Sequence, residues 1–157
     1  MVTLITGKIN GGKTSRILEL YLDSENGDGF ASPKVFNGGE LAGYDLQRLS
    51  TGETVPFIRR EGLTPAGWTE AFTFGDFSFS EAGLQFASGI IKSAIEDGNS
   101  SLFIDEIGPV ELQGKGFAPL LEKALGSGRD VYICVRESCV EDVAERFHIG
   151  EFALIKV

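Results

Sequence analysis

Hydrophobic residues along this chain form short continuous runs that alternate with stretches of helical spacing. Three runs, "VTLIT" at 2–6, "SLFID" at 101–105 and "VYICV" at 131–135, have the length and composition of buried strands. The run "FALIKV" at 152–157 predicts a fourth strand. Continuous apolar strands that alternate with helices predict an α/β protein whose mainly parallel sheet is covered by helices on both faces.

Helices are predicted where apolar residues recur every three or four positions. This spacing predicts helices at 14–22, from 78 to about 97, through 120–125, and from 138 to about 147. Two segments, 78–81 and 138–141, read Ser-x-x-Glu, the capping-box pattern that starts a helix. The turn residues of "SENGDG" at 24–29 predict the end of the first helix.

Residues 30–75 follow a different pattern. "YDLQRLS" and "TVPFIRR" flank "TGE", which predicts an antiparallel hairpin at one edge of the sheet. In "FTFGDFSF" the aromatic residues alternate, which predicts a further strand and favours a core position for Phe72, Phe74, Phe77 and Phe79. Trp68 either packs this region against the sheet or stacks on a base. No linker interrupts the pattern, so residues 1–157 are predicted to form a single domain.

Composition narrows the class of protein further. The chain has 157 residues, and 42% of them are apolar, which indicates one globular domain. No apolar stretch approaches the roughly 18 residues of a membrane helix, and no basic segment precedes the first strand, so we expect a cytoplasmic protein. A formal charge of −9 disfavours nucleic-acid binding. Cys134 and Cys139 are predicted to be core thiols, and His148 to be a capping or surface residue.

A glycine-rich segment directly follows the first predicted strand. Residues 7–14 read Gly-Lys-Ile-Asn-Gly-Gly-Lys-Thr, which fits G-x-x-x-x-G-K-[ST] in full. In such a loop, consecutive backbone N–H groups and the helix N-terminus bind phosphate, Lys13 reaches the β- and γ-phosphates, and the Thr14 hydroxyl binds Mg²⁺. The predicted nucleotide-binding residues are Gly7, Lys8, Ile9, Asn10, Gly11, Gly12, Lys13, Thr14 and Ser15.

Two carboxylates end the predicted strand at 101–105. Asp105 and Glu106 follow "LFI", which is the pattern of a Walker B strand. Asp105 is predicted to hold Mg²⁺ together with Thr14, and Glu106 to orient or deprotonate the attacking water. Many strands end in acidic residues, so the interpretation depends on the complete phosphate loop that precedes it. Lys13 and Glu106 are thus the predicted catalytic residues.

With these motifs in place, the chain resembles a known family. "LITGKINGGKTSRI" and "LFIDEIGPVEL" are similar to motifs of the small P-loop nucleoside-triphosphatases, the cancer-related nucleoside-triphosphatase family. "GYDLQRLSTGETVPFIRR" resembles the middle hairpin of that family. The resemblance implies a P-loop NTPase with a RecA-like sheet that hydrolyses ATP, GTP or a broad range of triphosphates with Mg²⁺. It also implies a role for Glu111, which matches the second acid of the family.

One segment departs from the family pattern. The family usually carries an acidic residue and an arginine where this chain reads "ASPKVFNGGELAGYD", and no arginine lies between Arg16 and Arg48. Arg59 and Arg60 are candidates to supply the missing charge, in cis or from a neighbouring subunit, and Arg136 is a further candidate. An arginine at this position of a phosphoryl-transfer site can be worth 10³–10⁵ in rate. Two adjacent arginines at a strand end also have an ordinary interpretation as solvated residues.

Two alternatives to hydrolysis stay open at this point. A small-molecule kinase has the same phosphate loop and Mg²⁺ site, and residues 30–75 have room for an acceptor. A regulatory switch would bind nucleotide with negligible chemistry, which the missing arginine favours and Glu106 disfavours. The absence of an N-K-x-D or T-K-x-D motif argues against a GTPase of the Ras type.

Overall fold

Ten strands and five helices make up the computed structural model, which describes residues 1–157. The strands are β1 (Val2–Thr6), β2 (Gly27–Ala31), β3 (Lys34–Asn37), β4 (Glu40–Arg48), β5 (Thr54–Arg60), β6 (Glu70–Phe74), β7 (Phe77–Ser80), β8 (Ser101–Ile107), β9 (Asp130–Val135) and β10 (Ala153–Lys156). The helices are α1 (Lys13–Asp23), α2 (Glu81–Glu96), α3 (Pro109–Leu112), α4 (Ala118–Leu125) and α5 (Val140–Arg146), and a 3₁₀ turn covers Glu137–Cys139.

All ten strands belong to one sheet with the order β10-β1-β9-β8-β2-β4-β5-β7-β6, and β3 pairs with β4 beside this path. The first five strands in this order run parallel to one another. The remaining strands are antiparallel to their neighbours. This arrangement confirms the parallel strands as the core of the sheet, which is mixed as a whole because the middle of the chain adds antiparallel strands at one side.

The two faces of the sheet are covered by different helices. Successive residues of a buried strand point to opposite faces. Accordingly, Leu4 and Ile104 belong to the larger core, whereas their neighbours Ile5 and Phe103 belong to a smaller one with Ile17 of α1. Residues of α2, α4 and α5 complete the larger core. The predicted helices on both faces are therefore confirmed.

Strand β2 corrects the prediction that residues 24–29 form only a turn. Its sequence "GDGFA" has little strand character, yet it pairs with both β8 and β4 inside the sheet. The buried Asp28 carboxylate accepts hydrogen bonds from Gly29 N (2.8 Å), from Arg48 Nε (2.9 Å) and from Ser50 Oγ (2.8 Å). These bonds offset the cost of burying a charge in the middle of the sheet.

Both predicted capping boxes are wrong in detail. β7 continues through Ser80, so Ser80 rather than Ser78 caps α2, and its Oγ accepts from Gly83 N at 3.0 Å. At the second box, a 3₁₀ turn delays the helix to Val140, and Cys139 at the N-cap makes no side-chain hydrogen bond. The short helix α3 was also missed, because it lies in a glycine-bearing segment that reads as a loop.

The aromatic segment "FTFGDFSF" forms a hairpin, β6 and β7, rather than a single strand. Phe72 and Phe79 stack across it with ring centroids 4.6 Å apart, and Phe79 is buried, whereas Phe74 is 38% exposed. Phe74 is therefore outside the core that the alternation predicted for it. Trp68 donates its indole N–H to Ser78 Oγ at 2.9 Å, so it packs against this hairpin.

The predictions for the two cysteines and for the histidine are confirmed in the fold. Cys134 and Cys139 are buried free thiols, and His148 is exposed just after α5. None of the helices has the length and apolar character that a membrane-crossing helix requires.

We expect Gly43→Ala to lower the free energy of unfolding by about 2–4 kcal/mol. Gly43 lies on β4, and a Cβ there would overlap the backbone carbonyl oxygen of Ile58 on β5, which has no room to move within the sheet. Gly89 on the exposed face of α2 is the matched control, because a Cβ there meets nothing within 4 Å. Gly89→Ala should stabilise the protein by about 0.5–1 kcal/mol. Urea unfolding measures the free energy of unfolding of the two variants. Equal values for Gly43→Ala and Gly89→Ala would contradict the crowding at Gly43.

Candidate active site

The carboxyl ends of β1, β8, β9 and β2 meet at one edge of the sheet, around a cleft of about 540 Å³. The loop after β1 lines it with Ile9 to Ser15. The other walls near this loop come from Ser32 and Lys34 after β2, from Asp105 and Glu106 of β8, and from Arg136 after β9. Ligands of open parallel sheets bind at this edge of the strands.

The glycine-rich loop presents backbone N–H groups to the cleft. Gly12 precedes α1 in the left-handed region (φ 97°), which favours glycine, and no side chain caps the first turn of the helix. The first N–H groups of α1 have no partners within the helix, so they are available to a ligand. Lys13 is 7% exposed, and its Nζ donates to the carbonyl oxygens of Gly7 (3.3 Å) and Lys8 (3.4 Å).

Thr14 and Asp105 join the loop to β8. Thr14 Oγ1 donates to Asp105 Oδ2 at 2.9 Å, and Ser32 N donates to the same oxygen at 3.0 Å. Ser32 Oγ also donates to the Asp105 carbonyl oxygen. Burial raises the pKa of Asp105, while the hydrogen bonds from Ser32 and Thr14 act in the opposite direction.

Glu106 turns toward the cleft through a β-bulge. The pairing of β8 with β9 passes from Asp105 directly to Ile107, so Glu106 is the extra residue in the ladder. Burial raises the pKa of the Glu106 carboxyl, and the cationic groups of Lys13, Arg136 and Lys34 oppose that rise. Lys34 and Arg136 are exposed, and both line the cleft.

The donor set between the loop and β8 suits a magnesium ion. Mg²⁺ prefers oxygen ligands and is commonly bound by one or two protein oxygens together with water and substrate phosphates. The Thr14 hydroxyl and the Asp105 carboxylate are oxygen donors that already contact each other at this edge of the loop. They are the residues that would hold the ion.

Glu111 is also part of the cleft wall, but both of its carboxylate oxygens are engaged. Oε1 accepts from Gly108 N (2.9 Å) and Oε2 from Phe117 N (3.0 Å), so Glu111 fastens the start of α3 to the start of α4. The side chain is 5% exposed, and burial raises its pKa to about 7. These contacts indicate that Glu111 shapes the segment after Glu106.

A family model described as NTPase matches residues 2–157 of this chain. The chain belongs to the NTPase family. This match confirms the family resemblance of the sequence motifs, and it covers the loop, β8 and the antiparallel strands together.

Curated relatives and solved structures agree with this family. The chain is 26% identical over 163 residues to the nucleoside-triphosphatase THEP1 of Thermotoga petrophila, an alignment that covers 98% of this chain and 84% of the relative. It is 26% identical over 161 residues to THEP1 of Methanothermobacter thermautotrophicus, covering 98% and 87%. The crystal structure of THEP1 from Aquifex aeolicus superposes with a TM-score of 0.73 at 20% identity, over 99% of this chain and 89% of that one. The solution structure of a human cancer-related nucleoside triphosphatase gives 0.70 at 24% identity, over 99% and 87%. The two structures establish the P-loop fold of this NTPase.

The structure brings most of the predicted site residues of this NTPase together. Gly7 and Lys8 are not part of the cleft lining and accept hydrogen bonds from Lys13 at their carbonyl oxygens, whereas the rest of the predicted loop, through Ser15, lines the cleft. The cleft lining also contains polar residues that were not predicted, among them Ser32, Lys34 and Tyr44. Ser32 and Lys34 follow β2. Because β2 was not predicted, the sequence did not indicate that these two residues lie at the same sheet edge as Asp105.

Arg59 and Arg60 lie away from the cleft lining. Arg59 Nη2 forms an ion pair with Asp45 Oδ1 at 2.6 Å, and Arg59 Nη1 donates to the carbonyl oxygens of Tyr44 and Ile58. Arg60 donates to the Leu41 carbonyl oxygen and lies over the ring of Phe77. Besides Lys13, the cationic side chains that line the cleft and act on Glu106 are those of Arg136 and Lys34.

We expect the contribution of Glu111 to stability to fall as the pH rises. Between pH 4.5 and about 7 the folded protein keeps a proton on Glu111 that the unfolded chain has released. The stabilisation is therefore complete below pH 4.5 and is lost as the pH rises through 7. From pH 5 to pH 8, the free energy of unfolding of the wild type minus that of Glu111→Gln should decrease by about 2–3 kcal/mol.

Urea unfolding at pH 5 and pH 8 measures this difference. Glu96→Gln, which removes a carboxylate at the exposed end of α2, is the matched control. A pH-independent difference for Glu111→Gln would contradict the raised pKa of Glu111.

Proposed function

We propose that this NTPase hydrolyses nucleoside triphosphates to diphosphate and phosphate in a Mg²⁺-dependent reaction. The observation that carries the proposal is the contact between Thr14 Oγ1 and Asp105 Oδ2, 2.9 Å, because it joins the glycine-rich loop to the strand that also carries Glu106. Membership of the NTPase family and the nucleoside-triphosphatase relatives support the same reaction.

In this proposal, the glycine-rich loop and the start of α1 bind the triphosphate. The unpartnered N–H groups at the start of α1 and the partial positive charge of the helix end attract phosphate oxygens. The Lys13 ammonium, now held by two loop carbonyls, is the buried cation for the β- and γ-phosphates. Mg²⁺, held by Thr14 and Asp105, would supply positive charge to phosphate oxygens and so favour loss of the terminal phosphoryl group.

Hydrolysis itself needs a positioned water. A water oxygen bonds to the γ-phosphorus, the bond from that phosphorus to the β,γ-bridging oxygen breaks, and the Glu106 carboxylate accepts the water proton. Its environment favours this role, because burial raises the pKa of Glu106 and so strengthens it as a base. Lys34 and Arg136 supply positive charge near the developing negative charge on the phosphoryl oxygens.

The test is phosphate release from ATP, GTP, CTP and UTP, with and without Mg²⁺. We expect release with Mg²⁺ and little after chelation, and the relative rates will define the base preference. Binding of nucleotide without release would overturn the hydrolytic proposal and favour a switch. Release that depends on an added hydroxyl compound, with formation of its phosphate ester, would instead identify a kinase.

A further inference from the structure

The cleft continues past Glu106 into an apolar part that the hydrolytic reaction does not use. Its wall consists of six residues from three antiparallel strands, here called the aromatic chamber: Leu41, Tyr44, Phe57, Ile58, Phe77 and Phe79. Phe57 packs edge-on against Phe79 at 5.4 Å between ring centroids and stacks on Phe117 at 5.1 Å. The chamber is therefore a preformed apolar wall open to the cleft, which is the usual character of a small-molecule site.

The order of the strands separates this chamber from the nucleoside. The glycine-rich loop follows β1, which lies two strands from β8 on one side, whereas β4, β5 and β7 lie two to four strands from β8 on the other side. Neighbouring strands lie about 4.8 Å apart, so the backbone of β4, the first strand of the chamber, lies roughly 10 Å from the backbone of β8, and their side chains extend into the space between them. A triphosphate whose γ-phosphate faces Glu106 carries its nucleoside at the opposite end, because the nucleoside is joined to the α-phosphate.

Tyr44 gives the chamber a polar end. Its backbone carbonyl accepts from Arg59 Nη1 at 3.1 Å, but its phenol oxygen has no hydrogen-bond partner in the chain. The ring is half-buried, and this burial raises the pKa of the Tyr44 phenol. The charge of Glu106 raises that pKa further, and the charge of Arg136 lowers it. A buried or half-buried phenol ordinarily has a partner, so this hydroxyl is available to a ligand at the junction with the phosphate end.

The charges of the side chains at this junction determine which polar group a second ligand can place there. With a triphosphate in place, Lys34 and Arg136 face phosphate oxygens, which leaves the Tyr44 hydroxyl and the Glu106 carboxylate for a second molecule. An anionic head group would be repelled by Glu106 and by the phosphates. A neutral hydroxyl can accept from Tyr44 and donate to Glu106 at once.

We propose that the aromatic chamber is a second ligand site, which takes a small planar apolar molecule with a hydroxyl group directed at Tyr44 and Glu106. The position of the hydroxyl rests on the proposed function, since it assumes that the γ-phosphate lies beside Glu106. Bound there, the molecule displaces the water at Glu106 without touching the nucleoside. It therefore lowers kcat for hydrolysis and leaves KM for the triphosphate unchanged.

The probe is 2-naphthol, whose binding is followed by the fluorescence of its ring with and without a saturating non-hydrolysable ATP analogue and Mg²⁺. We expect its affinity to agree within about twofold in the two conditions, because both molecules fit together. Tyr44→Phe should weaken 2-naphthol about threefold to tenfold and leave naphthalene unchanged, since one hydrogen bond is removed. Phe77→Ser should weaken both compounds more than about tenfold.

Two further variants, at side chains that are already exposed, show whether weaker binding is caused by unfolding of the protein. Phe74→Ser alters a cleft residue that is already 38% exposed and should also weaken 2-naphthol, whereas Phe36→Ser, 61% exposed and outside the cleft, is the matched control and should not. Competition between 2-naphthol and the ATP analogue would overturn the proposal, because the chamber would then hold the base. Affinity unchanged in both cleft variants, or no binding at all, would overturn it as well.

The same experiment separates this site from the proposed function. Lys13→Ala should abolish binding of the ATP analogue and keep binding of 2-naphthol. If the wild type binds 2-naphthol at the chamber but releases no phosphate from any triphosphate, the second site is supported and hydrolysis is not. If phosphate release is normal and 2-naphthol leaves kcat unchanged at saturation, the displacement of water at Glu106 is wrong.

Discussion

Glu106→Gln is expected to lower kcat for phosphate release by about 10²–10⁴-fold and to change nucleotide affinity by less than about twofold. Glutamine keeps the shape of the side chain at the bulge of β8 but cannot accept a proton from water. The substitution leaves the glycine-rich loop intact, so we expect the loss to appear in kcat rather than in nucleotide binding. Steady-state phosphate release and titration with a fluorescent nucleotide measure the two quantities.

The control for this variant removes the same charge elsewhere. Glu61 is exposed in the turn after β5 and lies outside the cleft, so Glu61→Gln should have the kcat of the wild type. A Glu106→Gln protein with unchanged kcat would rule out Glu106 as the base. Loss of affinity together with kcat would instead assign Glu106 to binding.

Lys13→Ala is expected to weaken binding of Mg²⁺–triphosphate at least 100-fold, and phosphate release at ordinary substrate concentrations should disappear. Lys13 is 7% exposed, and its ammonium group donates hydrogen bonds to two loop carbonyls in the absence of a ligand. Hydrogen bonds between charged groups contribute about 1.5–3 kcal/mol each, and alanine removes such bonds to two phosphates.

A matched lysine variant separates this effect from that of net charge. Lys92 is exposed on α2 and outside the cleft, so Lys92→Ala carries the same charge change and should bind nucleotide like the wild type. Thermal unfolding of both variants checks that each is folded. Nucleotide affinity of Lys13→Ala within a few-fold of the wild type would contradict the phosphate-binding role of the loop lysine.

The electrostatics of the cleft oppose those of the whole chain. The formal charge of the protein is −9, yet three cations, Lys13, Lys34 and Arg136, line the cleft around Asp105 and Glu106. A cleft focuses the field of its own lining, so a local group of cations can attract a triphosphate to an acidic protein. Arg59, in contrast, forms an ion pair with Asp45 and Arg60 lies over the ring of Phe77, so the basic pair of the sequence is not part of the cleft lining.

Features that depend on consecutive residues could be predicted from the sequence. A phosphate-binding loop needs successive backbone N–H groups at a helix start, so the whole motif is contained in residues 7–14. Strands β1, β8 and β9 were recognisable because they are largely buried on both faces and are mostly apolar. Asp105 and Glu106 could be placed with them because they directly follow the apolar run of β8, although the strand itself continues through Ile107.

Features that depend on partners distant in sequence could not be predicted. Strand β2 is a strand only because β8 and β4 flank it and Arg48 and Ser50 compensate the charge of Asp28. Whether Ser78 or Ser80 caps α2 depended on how far β7 continues in its pairing. In both cases the local sequence was compatible with more than one structure, and long-range hydrogen bonds decided between them.

The sequence by itself thus determined the phosphate loop, the acidic strand end and the mainly parallel sheet, since each is written in adjacent residues or in a regular period. Only the tertiary structure decided which groups surround that loop. Ser32, Lys34 and Tyr44 reach the cleft because β2 and β4 follow β8 in the sheet, an order that no local pattern encodes. The aromatic chamber has the same origin, because strands separated along the chain contribute its wall once they are hydrogen-bonded side by side.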